Sequence, residues 1–219
     1  PAKAPSPAIE QGAIPLDVPE LDLSPLNVVS ESKPLKGDGP LDAAMVSGFG
    51  KYATDNDGAT PENLTAITFN RIRALADNPA QGVPKDSAQW VIPSLYQSRK
   101  GQKEHGRFVM LWLDIDQAAG RTITQMADIV GAIVEGCDFE IYASRSATEQ
   151  NQKCRVLVPL SAELTPNQWL ISEGLLRSKM ADAGVDTDPA SEKPGQVLYL
   201  PNTGDYYATA HARNGYLFQ

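Results

Sequence analysis

The chain has 219 residues, of which 42% are hydrophobic and 21% are charged, proportions that are typical of a globular domain. No apolar run approaches the roughly 18 residues of a membrane helix, so we expect no membrane partner and a cytoplasmic protein. Two cysteines, Cys137 and Cys154, and two histidines are too few for a disulfide framework or a structural zinc site. The net charge of −8 argues against a protein that coats nucleic acid through bulk positive charge.

Proline and charge are distributed unevenly along the chain. Residues 1–40 contain eight of the 17 prolines and have no helical or strand period, which predicts an extended arm or linker. We expect one folded domain over residues 41–219. Residues 71–107 carry seven basic and three acidic side chains. Such a basic segment suits an enzyme that holds a polyanion, and it suits an ordinary solvated surface equally well.

The front of the folded part predicts a smaller helical and mixed region. A short helix is expected over residues 41–52. Thr60-Pro61-Glu62 has the composition of a helix start, with Thr as the N-cap and Pro in the first turn, and the apolar spacing continues to residue 77. Residues 89–96 are apolar and β-prone, but Pro93 interrupts them.

The remainder of the chain alternates strands and helices. Residues 107–116 contain six consecutive apolar residues and predict a strand that is buried on both faces. A helix over 122–135, strands over 138–144 and 153–160, a helix from Pro166 to about residue 183 and a strand over 196–200 follow. This order is the split βαβ arrangement, which predicts an α+β fold whose four-stranded antiparallel sheet carries two helices on one face.

Asp114 and Asp116 end the strongest predicted strand. Side chains two residues apart on a strand point to the same face, and two neighbouring carboxylates repel unless positive charge lies between them. A divalent metal is the simplest compensator, and carboxylate oxygens suit Mg²⁺ or Mn²⁺. The alternative is a strand that ends in two solvated aspartates.

Three further features could complete a site around these acids. The loop Tyr142–Thr148 follows a strand and contains several hydroxyls and Arg145, groups that can hold phosphates, although it could also be a polar hairpin loop. Lys153 and Arg155 share one face of the next strand, where they could instead only protect a sheet edge. Asp186-Thr187-Asp188 offers a third carboxylate, and its plain interpretation is a turn. Together these features make a two-metal site with triphosphate ligands plausible, as nucleotidyl transfer requires.

The motifs FVMLWLDIDQ, YASRSATEQNQKCRVLVPLS and DPASEKPGQVLYLPN, in this order, resemble the archaeo-eukaryotic primase superfamily. The likeness covers roughly residues 85–202 and is greatest to the primase-polymerase domains of phage and plasmid replication proteins. The resemblance implies an RRM-like catalytic half, Mg²⁺ or Mn²⁺ bound by Asp114, Asp116 and Asp188 (with Asp186 as the fallback), and primer synthesis from NTP or dNTP. It also implies a single-stranded DNA template and a helicase domain or partner.

The resemblance assigns nucleotide binding to Ser144, Arg145, Ser146, Lys153 and Arg155, and we expect Arg99 and Lys100 in the basic segment to contact DNA. The family's middle motif is usually S-x-H, whereas Ala147 lies where the histidine is expected. Arg145, Lys153 or Arg155 could take over its phosphate contact. A catalytically inactive primase fold that binds origin or single-stranded DNA for a helicase is the main alternative, and a nuclease or a DxD glycosyltransferase is another. His211 is assigned no role.

Overall fold

The computed structural model describes residues 40–50 and 64–219. The predicted arm before residue 40 and the predicted helix start at Thr60-Pro61-Glu62 lie outside the described residues, so the boundary between arm and domain stays a prediction. No helix in the described part of the chain is both long enough and apolar enough to cross a membrane.

The described fold is α+β, as predicted. Its elements in chain order are β1 (Met45–Phe49), β2 (Leu64–Ile67), α1 (Phe69–Asp77), β3 (Ala80–Gln81), β4 (Gln89–Val91), α2 (Gln102–His105), β5 (Phe108–Ile115), α3 (Ile123–Ile133), β6 (Phe139–Ala143), β7 (Cys154–Leu164), α4 (Pro166–Asp182), β8 (Leu198–Tyr199), β9 (Asn202–Thr203) and β10 (Thr209–Ala212). Short 3-10 helices occupy Pro40–Asp42 and Pro189–Glu192.

A first antiparallel sheet has the strand order β2-β1-β4-β8. The helix predicted over 41–52 is wrong, because after the 3-10 helix the chain forms β1, which pairs with both β2 and β4. The β-branched Val46 is fully buried there, so sheet pairing overrides the local helical spacing. The following helix begins at Phe69 rather than at residue 61, and Thr68 is its N-cap, accepting a hydrogen bond from the Arg71 N–H.

A second antiparallel sheet, with the order β10-β6-β7-β5, confirms the strands predicted over 107–116, 138–144 and 153–160. The helices α3 and α4 pack against this sheet and against each other. Both begin with a capping box, from Thr122 and Gln125 in α3 and from Thr165 and Gln168 in α4, and Pro166 occupies the first turn of α4 as predicted. These local signals explain why both helices could be found from sequence.

The fourth strand of this sheet is not the predicted segment 196–200. That segment contains β8, which pairs with β4 in the first sheet, and β10 pairs with β6 instead. The outer edge of β5 is already occupied, because Ser94 bridges to Phe108 and the Asp188 N–H donates to the Asp114 carbonyl at 2.8 Å. Backbone groups near both ends of the outer edge of β5 are therefore already paired.

Every second residue of β6 points to the face of the second sheet that does not carry α3 and α4, and the contacts of these residues show what covers that face. Glu140 and Tyr142 share a face. Glu140 contacts Arg73 of α1, and the Tyr142 hydroxyl donates to the Tyr199 carbonyl of β8 at 2.9 Å. The first sheet and α1 therefore cover the face that carries Tyr142, and this is also the face on which the acidic strand end lies.

Glu173 of α4 is a buried acid with a structural role. Its Oε1 accepts a hydrogen bond from the Trp112 N–H of β5 at 2.8 Å, so it satisfies a backbone donor at the strand edge. Burial raises the pKa of Glu173 well above its ordinary value. Burial thus disfavours the charged form of Glu173, whose contact in the fold is this hydrogen bond to the backbone of β5.

Candidate active site

Asp114 and Asp116 lie at the carboxyl end of β5, each beside a basic side chain of β7. Asp114 stands opposite Arg155 in the strand register, and the Arg155 Nη2 donates to its Oδ2 at 3.4 Å. The Lys153 Nζ donates to the Asp116 Oδ1 at 3.2 Å. The Asp114 side chain is 22% exposed and that of Asp116 is 56% exposed. The predicted acids and bases thus meet at one end of the sheet, with Asp114 the more buried of the two acids.

Asp188 is the third carboxylate beside this pair. Its backbone N–H donates to the Asp114 carbonyl, as described above, and its Oδ1 accepts from the Ala190 N–H at 2.8 Å and caps the 3-10 helix that follows. Asp186 is exposed and is not among the charges that act on Asp114. The structure therefore brings Asp188, and not the fallback Asp186, to the acid pair.

The ionisation of Asp114 shows the electrostatic balance of this cluster. Burial raises the pKa of Asp114, the charges of Asp116 and Asp188 raise it further, and Arg155 acts in the opposite direction. The pKa is raised overall, so the bases present do not compensate the cost of the negative charge. An additional cation would be stabilised at this position.

The donor chemistry of Asp114, Asp116 and Asp188 fits Mg²⁺ or Mn²⁺, but their spacing does not form a closed metal site. Within residues 40–50 and 64–219, no three His, Cys, Asp or Glu side chains are arranged to hold a metal ion. Arg155 and Lys153 are instead bonded to two of the carboxylates, and the third caps a helix. A metal shared by the three acids would have to replace these ion pairs.

A cavity of about 250 Å³ lies beside the ion pair of Asp114 and Arg155. It is bounded by segments of both sheets, and its polar lining consists of cations, hydroxyl groups and the amide of Asn202. The residues that matter for its chemistry are Lys85, Ser144, Arg145, Ser146, Arg155 and Tyr199. Arginine and lysine with neighbouring hydroxyls are the groups that bind phosphate oxygens.

The predicted Ser144-Arg145-Ser146 motif forms a tight turn after β6. The Ser144 N–H donates to the Lys153 carbonyl at 2.8 Å, and the Ala147 N–H donates to the Ser144 carbonyl at 2.9 Å. The two serine hydroxyls lie 3.4 Å apart. Ala147 is only 1% exposed, so the position where a histidine is expected from the family faces the interior, and Ser146 lines the cavity instead.

Arg155 has hydrogen-bonding capacity left over for a ligand. Its Nε is buried and has no hydrogen-bond partner within the described residues. Tyr142 of β6 is paired with Arg155 on the side away from β5. Burial raises the pKa of Tyr142, so its phenol is a neutral neighbour. Burial also raises the pKa of Cys154 to about 12, which makes its thiol inert as a nucleophile.

The cavity differs in two ways from the predicted set of residues. Lys85 and Asn202 line it although neither was predicted as a site residue; Asn202 ends the motif DPASEKPGQVLYLPN, and the only signal for Lys85 was its place in the basic segment. Lys153 bonds Asp116 rather than lining the cavity. Arg99 and Lys100 lie in the loop before α2 and do not line it, so their predicted contact with DNA stays a prediction.

Gly204→Ala is expected to displace the Ser144–Ala147 turn. A Cβ at residue 204 would lie 1.9 Å from the Arg145 carbonyl oxygen, so one of the two backbone segments must move. We expect a loss of about 1–3 kcal/mol in the free energy of unfolding and weaker binding of inorganic triphosphate, measured by urea denaturation and calorimetric titration.

Gly174→Ala is the matched control for this substitution, because its Cβ would meet nothing within 4 Å. In the interior of α4 this change should be neutral or stabilising. Wild-type stability together with wild-type triphosphate binding in Gly204→Ala would show that residue 204 does not support the turn.

Comparison with known proteins finds a similar solved structure but no matching family model. No family model matches the chain, and no curated protein matches it. Among solved structures, the chain is similar to the AEP domain of the primase-polymerase (PrimPol) of cyanophage S-2L, with a TM-score of 0.46 and 11% identity over 82% of this chain and 85% of that one. At this identity and TM-score, the similarity assigns neither a family nor an activity.

Proposed function

We propose that this chain is a metal-dependent nucleotidyltransferase that makes or extends primers on single-stranded DNA from NTP or dNTP. The observation that carries the proposal is the cavity in which Lys85, Arg145 and Arg155 converge directly beside Asp114. Phosphate-binding cations and a carboxylate cluster with excess negative charge are the two parts that nucleotidyl transfer needs next to each other. The order of the primase-like motifs along the chain supports this assignment.

Each residue has a definite task in this proposal. Asp114, Asp116 and Asp188 would hold Mg²⁺ or Mn²⁺, which when bound lowers the barrier to attack by a 3′-hydroxyl and neutralises the phosphates. Arg155 and Arg145 bind phosphate oxygens, and the hydroxyls of Ser144 and Ser146 donate to the same group. The 3′-oxygen forms a bond to the α-phosphorus, the bond to the β-phosphate breaks, pyrophosphate leaves and the hydroxyl proton passes to water.

Arg155 connects the two halves of the site. It bonds Asp114 in the structure and lines the cavity, and its buried Nε has no hydrogen-bond partner within the described residues. When the carboxylate binds a metal, the guanidinium can turn its donors to a phosphate without leaving the site. A single side chain thereby aligns the triphosphate with the acids, which is the positioning that accounts for much of phosphoryl-transfer catalysis.

A second candidate is a catalytically inactive module with the same fold that binds origin or single-stranded DNA for a replicative helicase. Two observations favour it: Ala147 replaces the expected histidine, and within the described residues the acids are not grouped as a metal site. In this alternative, DNA binding needs no metal and no nucleotide is incorporated. A helicase partner is a proposal in either case.

A primer-synthesis assay separates the two candidates. Protein, single-stranded template and labelled NTP or dNTP are incubated with Mg²⁺ or Mn²⁺, beside the double variant Asp114→Ala/Asp116→Ala. Labelled oligomers that disappear in the variant are the expected result. A folded wild-type protein that binds template but yields no product would favour the binding module, and cleavage of the template would indicate a nuclease.

A further inference from the structure

The loop of residues 82–88 brings a cation from the first sheet into the cavity. This loop connects β3 to β4 and carries Lys85, which lines the cavity opposite residues of the second sheet. The Lys85 Nζ lies 5.1 Å from the centre of the Tyr199 ring, a distance at which the ring attracts the ammonium group. Lys85 is therefore held at the cavity although its side chain is exposed.

Asn202 fixes the shape of this loop. It is 7% exposed, its Nδ2 donates to the Val83 carbonyl at 2.7 Å, and its Oδ1 accepts from the Val83 N–H at 3.0 Å. Thr203 accepts from the Gly82 N–H at 3.1 Å. One buried amide thus satisfies both backbone groups of a loop residue that is two positions from Lys85, a contact that orders the loop before any ligand arrives.

The charges around the cavity are not balanced by acids. Lys85 and Arg145 make no ion pair within the described part of the chain, whereas Arg155 is paired with Asp114. None of the described residues that line the cavity is acidic. Two cations without an ion pair, one from the loop between β3 and β4 and one from the turn after β6, match a ligand that carries several negative charges along its length.

We infer that Lys85 binds the phosphates of the nucleotide together with Arg145 and Arg155, and that Asn202 is a positioning residue that acts through Lys85. The identity of the ligand as a nucleoside triphosphate rests on the proposed function, whereas binding of a polyphosphate does not require that transfer occurs. The first sheet would then contribute directly to substrate binding.

Calorimetric titration with inorganic triphosphate and with ATP tests this inference. Lys85→Ala is expected to weaken binding of both ligands about tenfold or more, because a charge-assisted hydrogen bond is lost, and Lys85→Arg should restore much of it. Lys179→Ala, which removes an exposed lysine from α4, is the matched control and should bind as the wild type does.

A double-mutant cycle tests the role of Asn202. Asn202→Ala should weaken binding in the wild-type background but add little in the Lys85→Ala background, because its effect passes through Lys85. A merely structural role would lower binding by the same factor in both. If Asn202→Ala does not fold, Thr203→Val serves in the same cycle, because it removes the hydroxyl that accepts from the Gly82 N–H and donates to the Gln81 side chain.

The outcomes distinguish this inference from the proposed function. Wild-type affinity in Lys85→Ala, or a wild-type protein that binds neither ligand, would overturn the role of Lys85. Equal effects of Asn202→Ala in both backgrounds would overturn the positioning role. The protein could bind polyphosphate through Lys85 and yet make no primers with either Mg²⁺ or Mn²⁺. That result would refute nucleotidyl transfer and leave the inferred binding site intact.

Discussion

Replacing Asp114 by Asn is expected to lower the rate of primer synthesis at least about 10²–10³-fold, since it removes a largely buried carboxylate charge that is proposed to hold the metal. Asn keeps the size of Asp114 and can still accept a hydrogen bond from Arg155. Only the negative charge is lost, and with it the capacity of the cluster to hold a divalent cation. Incorporation of labelled nucleotide at saturating metal measures this effect.

The same substitution should not lower the stability of the fold. The folded-state pKa of Asp114 is raised, so the folded protein accommodates the neutral side chain better than the charged one, and a neutral replacement removes an unfavourable ionisation above that pKa. Binding of single-stranded DNA should persist, because that contact does not require the acid. The free energy of unfolding, from urea denaturation, is therefore expected to equal or exceed that of the wild type.

Asp128→Asn is the matched control for this experiment, because Asp128 is an exposed acid on α3, which packs on the other face of the sheet. It should retain full activity. Primer synthesis at wild-type rate in Asp114→Asn would refute the proposed role of the acid cluster. A large loss of stability would mean that Asp114 serves the fold rather than a reaction.

The residues of β5 and their neighbours show how far sequence reasoning could reach. The apolar run that ends in Asp114 identified the strand, and the two-residue spacing of Lys153 and Arg155 predicted a shared strand face, which in the structure is the face of the acids. These are local patterns, in which the spacing of apolar and charged residues indicates which side chains are buried. The helices predicted over 122–135 and from Pro166 also rest on local patterns, and the structure adds the capping boxes of Thr122 and Thr165.

Contacts between distant segments could not be found in this way. Asn202 bonds Val83 across 119 positions of sequence, and nothing in the spacing around either residue indicates that they meet. The local pattern of residues 196–200 predicts a strand. Which sheet this strand joins depends on contacts between distant segments, and in the structure β8 pairs with β4 of the first sheet. The place of Lys85 in the cavity could not be predicted for the same reason, because its loop is held by the amide of Asn202, which is distant in sequence.

Asp138 gives the largest expected effect on stability. Its side chain is fully buried, and its Oδ2 accepts from Arg73 of α1 at 2.5 Å. Its Oδ1 accepts from the backbone N–H groups of Asn214, Gly215 and Tyr216 at 2.7, 2.9 and 3.3 Å. One carboxylate thus joins α1, the start of β6 and the segment after β10.

Replacing Asp138 by Ala is expected to lower the free energy of unfolding by about 3–5 kcal/mol, because the change leaves a buried guanidinium and several backbone donors without their acceptor. Urea denaturation measures the loss, and Asp182→Ala, at the exposed end of α4, is the control. In the folded fraction, triphosphate affinity should remain that of the wild type, since Asp138 does not line the cavity.

The Asp114→Asn and Asp138→Ala variants are therefore expected to give opposite results. The first variant should lose activity and keep its stability, and the second should lose stability and keep its ligand affinity. A stable Asp138→Ala protein would show that Glu140, which also contacts Arg73, holds α1 in place alone.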